Sequence, residues 1–499
     1  MEKDNTQPDD QGKSPGKLRT LLREFEADGV RYCHWKSNNR LPEALSGETD
    51  FDVLVHYQDA ESFNRIISAH GFRRAVGPRW DSHSSIFHYY GLDEDSGHIV
   101  HLHVYYRLIT GGGLVKDFRL PMEDRYLNEA RVVDGARLPA KHLELIVFCV
   151  RKVLEHTDPL ELLMLMREGA GVRREIEWLS DEETVARAKA LGGEVLPAIQ
   201  PELLIRCIDG IVQRRGVLSN FLTGWKIQRR LARYSNSSFL KRGLTTVGRF
   251  FQKCRQKFFR RGHINRLDLG GRVIAVIGGE ATGKSTVVST IHEWLGEYLK
   301  IHRVHAGKPP SNWLTWLPNA LLPLARRLFP KQRSGVVELA AEEESVANTS
   351  LVFALRAASL AYDRCQLLTG AYRSATRGEV TVCDRYPTHV TGDIDSAMLP
   401  PRGRDSSLYR ILQQTEERLY RSIPSPDLVL RLSVPVEVAI ERNRTRDKEG
   451  EPEPEDYVRQ RHARVGKLDY RDTKVIEIDT NKSLEETLLD VKRAVWSII

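Results

Sequence analysis

The chain contains no long apolar run, so we do not expect a protein with membrane-spanning helices. No uninterrupted apolar stretch approaches the roughly eighteen residues that a membrane-spanning helix needs. The N-terminal stretch MEKDNTQPDDQGKSPGK is polar, so no secretory signal is expected. Cysteine is sparse, with six residues and no Cys-x-x-Cys spacing. We therefore expect a cytoplasmic protein with reduced thiols and no cysteine-based zinc site.

Acidic residues are missing from one segment, the basic connector, residues 211–267. It contains fifteen lysines and arginines and no aspartate or glutamate. Its aromatic and basic residues recur at roughly helical spacing, which is typical of helices on an anionic membrane surface. A helical connector whose aromatic side packs between domains is the alternative. We disfavour nucleic acid as a partner because the positive charge is local. If the segment binds lipid, the protein lies at the inner face of the membrane.

The order of predicted elements divides the chain into four parts. Residues 1–15 read as a disordered tail, and residues 16–133 mix strands and helices in an α+β pattern. Residues 134–268 are predicted to be helical and include the basic connector. Strands and helices alternate over residues 269–499, which predicts an α/β domain with a parallel, doubly wound sheet. No feature of the sequence indicates an oligomeric state.

The strongest motif is the phosphate loop, residues 278–286. Gly278, four further residues and then Gly283-Lys284-Ser285 follow an apolar strand and open a helix, which is the context of a nucleotide-binding P-loop. Backbone N–H groups and the helix N-terminus would bind phosphate oxygens. Lys284 would reach the β- and γ-phosphates, and the Ser285 hydroxyl would bind Mg²⁺. The predicted cofactors are therefore ATP and Mg²⁺.

Residues downstream of the phosphate loop carry the chemistry that separates kinases from other P-loop proteins. Asp384 and Arg385 end an apolar strand, at the edge where open α/β sheets bind ligands. Asp384 could hold Mg²⁺ or position the attacking oxygen, and Arg385 could bind an anionic group of the acceptor. A capping aspartate and a surface arginine are the alternative. Arg442, Arg444 and Arg446 end a helix before an acidic loop, where a mobile lid could bring an arginine to the transferring phosphoryl group.

Together these motifs resemble the thymidylate kinase branch of P-loop kinases across residues 271–499. The resemblance rests on GGEATGKS, on LAYDRCQLL with Asp363-Arg364, on GEVTVCDRY and on PDLVLRLSVPVEVAIERNRTR. It implies γ-phosphoryl transfer from ATP to a small acceptor held by Arg364 and Arg385. Because the phosphate loop contains no arginine, it also implies that Arg444 or Arg446 is catalytic, with Lys284, Glu280, Asp384 and Arg385. The nucleotide would bind through Gly278, Gly279, Glu280, Ala281, Thr282, Gly283, Lys284, Ser285 and Thr286.

Departures from the family pattern lie on the acceptor side. Leu360 stands where the family stacks an aromatic ring on thymine. The segment HAGKPPSNW and the residues after Asp384-Arg385-Tyr386 also differ from the family. One lost ring costs about 1 kcal/mol, but several changes in one pocket predict an acceptor other than dTMP, either another nucleotide or a sugar-like molecule.

Paired carboxylates mark the N-terminal part. Asp50 and Asp52 lie two residues apart on a predicted strand, so they share one face and could hold Mg²⁺. This arrangement resembles the minimal nucleotidyltransferase fold, but Lys36-Ser37 stands where that fold usually has a Gly-Ser or Lys-Gly turn. His101 occupies the position expected for a third carboxylate, and imidazole suits zinc or iron better than magnesium. A strand end with solvated histidines is the alternative.

Our interpretation is therefore a multidomain chain with a nucleotidyltransferase-like α+β domain, a helical connector and a P-loop kinase domain. The expected function is Mg-ATP-dependent phosphoryl transfer. A protein with both nucleotidyltransferase and kinase activity is one alternative, and an ATP-binding scaffold without an acceptor is another.

Overall fold

The chain forms two compact units in this computed structural model, residues 1–261 and residues 262–499. The residues that the structure describes are 16–77, 86–111, 116–155, 157, 170–214, 216–235, 237, 243–251, 265–312, 351–400, 406–445, 452–466, 468–470 and 472–499. The predicted disordered tail and Arg446 lie outside them. None of the helices within these ranges is both long enough and apolar enough to cross a membrane.

A mixed sheet forms the centre of the first unit. Within the unit its strand order is β1-β2-β5-β4-β3, with β2 and β5 parallel and the other neighbours antiparallel. Two short hairpins, β6–β7 and β8–β9, stand beside this sheet. The strands are β1 (Tyr32–His34), β2 (Phe51–Val55), β3 (Arg73–Val76), β4 (Phe87–Leu92), β5 (Ile99–Tyr105), β6 (Ile109–Gly111), β7 (Lys116–Arg119), β8 (Arg131–Val133) and β9 (Ala136–Leu138).

Two apolar clusters hold the first unit together. Buried side chains of α1 and α3 pack with the sheet in one cluster, and α5 is the centre of the other, where it packs against α7, α8 and α9. The α-helices are α1 (Gly16–Ala27), α2 (Leu41–Ser46), α3 (Ala60–Ala69), α4 (Glu123–Asn128), α5 (Lys141–Glu155), α6 (Ala170–Leu179), α7 (Glu182–Val195), α8 (Pro201–Val212) and α9 (Val217–Arg230). The predicted boundary at residue 133 stays a prediction.

The described part of the basic connector is largely helical, with α9, a 3-10 turn over Leu231–Tyr234 and a helical stretch over 243–251. Ile227 and Leu231 are fully buried in the core of the first unit, whereas Leu218, Leu222 and Trp225 are exposed. One face of α9 thus packs against the core of the first unit and has a structural role. The anionic membrane partner of the connector stays a prediction.

The second unit is built on a five-stranded sheet in which every neighbouring pair is parallel, in the order β12-β13-β11-β14-β15. The prediction of a parallel α/β sheet in this half is confirmed. The strands of this sheet are β11 (Val273–Gly278), β12 (Ile301–His305), β13 (Val380–Asp384), β14 (Leu428–Ser433) and β15 (Lys474–Asp479). The short strand β10 (Arg266–Leu267) precedes them in the chain and is not part of this sheet. The helices are α10 (Lys284–Gly296), α11 (Leu351–Ala375), α12 (Ser407–Ser422), α13 (Val436–Arg444), α14 (Glu455–Val465) and α15 (Leu484–Trp496).

The central strand β11 is apolar along its length because β13 and β14 flank it and helices cover both faces. Its residues from Val273 to Ile277 are buried, as is typical of strands in the middle of parallel sheets. Since all five strands run the same way, the residues after their carboxyl ends meet at one edge of the sheet. The phosphate loop leaves β11 at this edge.

We predict that two glycines of the second unit respond oppositely to alanine. A Cβ on Gly271 would meet the backbone carbonyl of Glu379, 1.8 Å from its oxygen, so Gly271→Ala forces apart the chains that lead into β11 and β13. Gly370 lies exposed within α11 with open space at its Cβ. We expect Gly271→Ala to lower the free energy of unfolding by about 1–3 kcal/mol, and Gly370→Ala to raise it by about 0.5–1 kcal/mol. Urea unfolding of both variants measures this, and equal effects would contradict the packing described.

Candidate active site of the second unit

The phosphate loop has the backbone of an anion cradle. Ala281 and Gly283 have φ of 59° and 86°, in the left-handed region. Residues in this region, alternating with right-handed ones, turn successive N–H groups toward one point. Gly278 has no room for a side chain, because a Cβ there would lie 2.5 Å from the Thr282 hydroxyl. The local sequence therefore fixes a concave loop at the end of β11.

Lys284 opens α10 and is buried beneath the loop. Its ammonium donates a hydrogen bond to the Gly279 carbonyl. Burial lowers the pKa of Lys284 to about 8; Glu280 and Asp384 oppose this shift, and Arg385 and Arg461 add to it. The charge of this lysine is therefore poorly compensated, and phosphate oxygens would stabilise it.

The helix α14 packs directly on the phosphate loop. The His462 ring lies against Gly279, where an added Cβ would come within 2.4 Å of it, and His462 Nε2 lies 2.9 Å from the Glu280 carbonyl oxygen. This contact was not predicted from the sequence. Tyr457, Arg461 and Arg464 of this helix all line the cleft. They are spaced by four and three residues and so share a helix face. This spacing is the signal in the sequence that could have identified them.

Asp384 and Arg385 stand beside the phosphate loop, as the sequence predicts for adjacent parallel strands. Asp384 ends β13, in register with Val276 of β11 and His305 of β12. Arg385 adopts a left-handed φ of 70°, with its N–H bonded to the Val276 carbonyl. Strained backbone of this kind is often found at functional sites.

The Arg385 guanidinium joins two carboxylates. It lies 3.1 Å from Glu280 Oε1 on the phosphate loop and 3.5 Å from Asp395 Oδ2 after β13. Burial alone would raise the pKa of Glu280, but the charges of Lys284, Arg385 and Arg461 lower it below its usual value. Glu280 is thus an ionised partner of these cations and is poorly suited to act as a proton donor.

Arg364 is buried, and its N–H groups are used within the protein. They donate to the carbonyls of Ala306, Gly307 and Asp395, to the Asp395 carboxylate and to the Tyr420 hydroxyl. A guanidinium has five donors, so this set uses all of them. The predicted contact between Arg364 and the acceptor stays a prediction, and it would require exchange of one of these bonds.

Three arginines of α13 and α14 line the cleft, and they differ from Arg444 and Arg446, which the sequence favoured. Arg442, Arg461 and Arg464 are cleft-lining residues. Arg444 is exposed, hydrogen bonds Glu455 of α14 and is absent from the described lining. The catalytic role predicted for Arg444 stays a prediction, and it would require exchange of the Glu455 contact.

The elements above enclose a cleft of about 960 Å³. The phosphate loop and α10 form one side. We call the opposite side the acceptor wall, and it consists of His305, Leu360, Arg364, Asp393, Asp395 and Met398. Leu360, which the resemblance places at the acceptor position, lines this wall, and its contact with an acceptor stays a prediction. Two carboxylates and two apolar side chains, with the His305 imidazole and the Arg364 guanidinium, define the chemistry of this wall.

Mg²⁺ has suitable oxygen donors in the cleft. The Ser285 hydroxyl lies on the first turn of α10, and the buried Asp384 carboxylate faces the same space. Magnesium is usually bound by one or two such groups together with phosphate oxygens and waters. The donor set fits this ion.

The other predicted metal ligands, Asp50 and Asp52, lie in the first unit. Asp52 Oδ1 is 2.9 Å from Lys36 Nζ, and the residue in register with Asp52 on β5 is His103. Burial would raise the pKa of Asp52, but Lys36 and His103 hold it well below its usual value. A lysine therefore already neutralises the carboxylate that a magnesium ion would need.

The comparisons with known proteins agree with a P-loop kinase-like class for the second unit. The thymidylate kinase family model matches residues 325–491, which include β13, Asp384, Arg385, α13 and α14 but begin after the phosphate loop. Two Escherichia coli (strain K12) proteins are similar to about half of the chain. The uncharacterized ATP-binding protein YghR is 28% identical over 233 residues, covering 45% of this chain and 86% of YghR. The uncharacterized ATP-binding protein YghS is 24% identical over 235 residues, covering 46% and 94%. Fold, site and relatives together support an ATP-using function.

We predict that nucleotide affinity falls as the pH rises above about 8. Lys284 has a pKa of about 8 in the free protein, and bound phosphates raise it because they favour the charged form. Binding therefore takes up protons, approaching one per nucleotide, between these two pKa values. Calorimetry with a non-hydrolysable ATP analogue, from about pH 7 to about pH 10 in buffers of different ionisation enthalpy, measures this uptake. Lys284→Arg should abolish it, and uptake that persists in this variant would assign it to another group.

We also predict that Arg364 acts mainly through stability. Arg364→Met removes one of the two arginine partners of the half-buried Asp395 carboxylate and takes donors away from the carbonyls of Ala306, Gly307 and Asp395, and we expect a loss of about 3–5 kcal/mol in the free energy of unfolding. Arg373→Met, at an exposed position of the same helix, is the matched control and should change it little. Urea unfolding measures the stability of both variants. Near-native stability of Arg364→Met would mean that the hydrogen bonds of Arg364 do not hold the acceptor wall together.

Proposed function

We propose that the second unit is an Mg-ATP-dependent kinase that transfers the γ-phosphoryl group to a small-molecule acceptor other than dTMP. One observation carries this proposal. A single cleft holds the phosphate loop with Lys284 on one side and the acceptor wall with Asp395 on the other, and Arg385 contacts both. Phosphoryl transfer needs donor and acceptor in line within one space that cations surround.

The nucleotide side of the cleft has a role for each group. Converging N–H groups of the phosphate loop would bind the β-phosphate, and Lys284 would exchange its bond to the Gly279 carbonyl for phosphate oxygens. Ser285 and Asp384 would hold Mg²⁺. When bound, this ion neutralises the phosphate charges that repel an incoming nucleophile.

The charge that develops during transfer needs donors from the lid. We assign this role to Arg461 and Arg464 of α14, because both line the cleft and Arg461 also lies 3.8 Å from Glu280. Arg442 donates to the Thr480 carbonyl in the loop after β15, so it stands on the nucleotide side. We prefer this assignment to Arg444, which is exposed and paired with Glu455; Arg446 lies outside the described residues.

The acceptor wall suits a small polar acceptor. Leu360 offers an apolar contact without a ring, and Asp393 and Asp395 offer acceptors for hydroxyl or amine groups. Arg385 could bind an anionic group once it releases one of its carboxylates. These groups favour an acceptor with hydroxyls and one negative charge, such as a sugar phosphate or a nucleotide other than dTMP.

We expect ADP release with Mg-ATP on a panel of dTMP, other nucleotides, sugars and sugar phosphates to identify the acceptor. Lys284→Ala should lower the turnover by about a hundredfold or more. Arg461→Ala and Arg464→Ala should lower kcat by about tenfold to a thousandfold. Arg444→Ala and Lys474→Ala, at an exposed position at the start of β15 on the far edge of the sheet, are matched controls and should leave it unchanged.

The same measurement separates the alternatives. Strong turnover of dTMP would contradict our assignment of the acceptor while leaving the kinase intact. ATP binding by calorimetry without ADP release on any acceptor would overturn the kinase proposal in favour of an ATP-binding scaffold. Loss of activity in Arg444→Ala but not in Arg461→Ala would return the catalytic role to the end of α13.

A further inference from the structure

We propose that the first unit binds a divalent transition-metal ion, with Zn²⁺ as the expected ion, through a histidine cluster formed by His88, His101 and His103. One ring nitrogen of each residue lies within 4.8 Å of those of the other two. The proposal concerns the first unit alone and does not depend on the kinase function proposed for the second.

The sheet register builds the histidine cluster. His101 and His103 are two residues apart on β5 and share a face, and His88 of β4 pairs directly with His103. Tyr90 pairs with His101, and their rings stack with centroids 4.3 Å apart. Two neighbouring strands therefore present three imidazoles on one surface, with the plane of the His101 ring fixed by an aromatic neighbour.

The distances suit coordination by nitrogen. His88 Nδ1 and His101 Nε2 are 3.1 Å apart. Two nitrogens bound at about 2.0–2.1 Å to a tetrahedral zinc ion are roughly 3.3–3.4 Å apart, so a small movement would direct both lone pairs at one ion. Three imidazoles favour zinc and related ions over magnesium, which prefers oxygen ligands.

Carboxylates behind the rings complete the arrangement. Asp50 Oδ1 lies 2.7 Å from His101 Nδ1, and Asp50 Oδ2 lies 3.5 Å from His103 Nδ1. A carboxylate that accepts the Nδ1 proton leaves the Nε2 lone pair for a metal and holds the ring in place. Asp50 is thus a positioning residue for His101 and His103. Because Lys36 neutralises Asp52, the net charge near the cluster stays low.

The site is reachable from solvent. The side chains of His101 and His103 are 14% and 19% exposed, and that of Asp50 is 48% exposed. Three ligands leave a fourth tetrahedral position, which water or a small anion takes in such sites. The cluster would therefore hold an ion that also binds an external ligand.

Metal binding to the full-length protein tests the proposal. After dialysis against Zn²⁺ without nucleotide, we expect one zinc per chain by elemental analysis, and we expect Co²⁺ to give the intense visible absorption of a tetrahedral site. His101→Gln and His88→Asn should each weaken Zn²⁺ binding by about a hundredfold or more, and Asp50→Asn by about tenfold to a hundredfold. His98→Asn, at an exposed position between β4 and β5, is the matched control and should bind as the parent does.

A second readout covers variants that fold poorly. Zn²⁺ should raise the Tm of the parent and of His98→Asn, because it binds the folded state alone, but it should not raise the Tm of His101→Gln. Circular dichroism without metal establishes that each variant is folded. No bound zinc in the parent, or unchanged zinc affinity in folded His101→Gln and His88→Asn, would overturn the proposal.

Discussion

The acceptor wall depends on one buried cation. The Arg364 guanidinium ties together the end of β12 at Ala306, the loop at Asp395 and Tyr420 of α12. Arginine suits this position because its five donors are fixed in a plane and its charge is weakly hydrated compared with an ammonium. An isolated charge at this depth would be strongly unfavourable. Because its donors reach all three elements, it fixes their positions relative to one another.

Local patterns explain why one half of the site could be predicted. The phosphate loop lies within nine consecutive residues, and its shape follows from the glycines and from the strand and helix that flank it. Asp384 was predictable for a similar reason, since parallel strands align their ends. The role of Arg364 was not, because its partners Asp395 and Tyr420 are distant in sequence. Nothing in the sequence around Arg364 shows whether its N–H groups bond within the protein or are available to a ligand.

The choice among the lid arginines shows the same limit. Both α13 and α14 are rich in arginine, and which face of each turns inward depends on the small apolar contact among Ala439, Ile440 and Val458. That contact directs Arg461 to the cleft and leaves Arg444 outside. In the first unit, His88 and His103 lie opposite each other because of the register in which β4 pairs with β5. The alternation of side chains along β5 could be predicted from the sequence, but the register of β5 against β4 could not.

If the cleft binds a nucleotide and an acceptor as proposed, the position of Arg385 has a thermodynamic consequence for both affinities. Its guanidinium is shared between Glu280 on the nucleotide side and Asp395 on the acceptor side. A ligand that draws it toward one side weakens its pairing on the other, so occupancy of one subsite changes the affinity of the second. Linkage requires this effect to be reciprocal. Under the proposed function, a single side chain would therefore couple the recognition of the nucleotide to that of the acceptor.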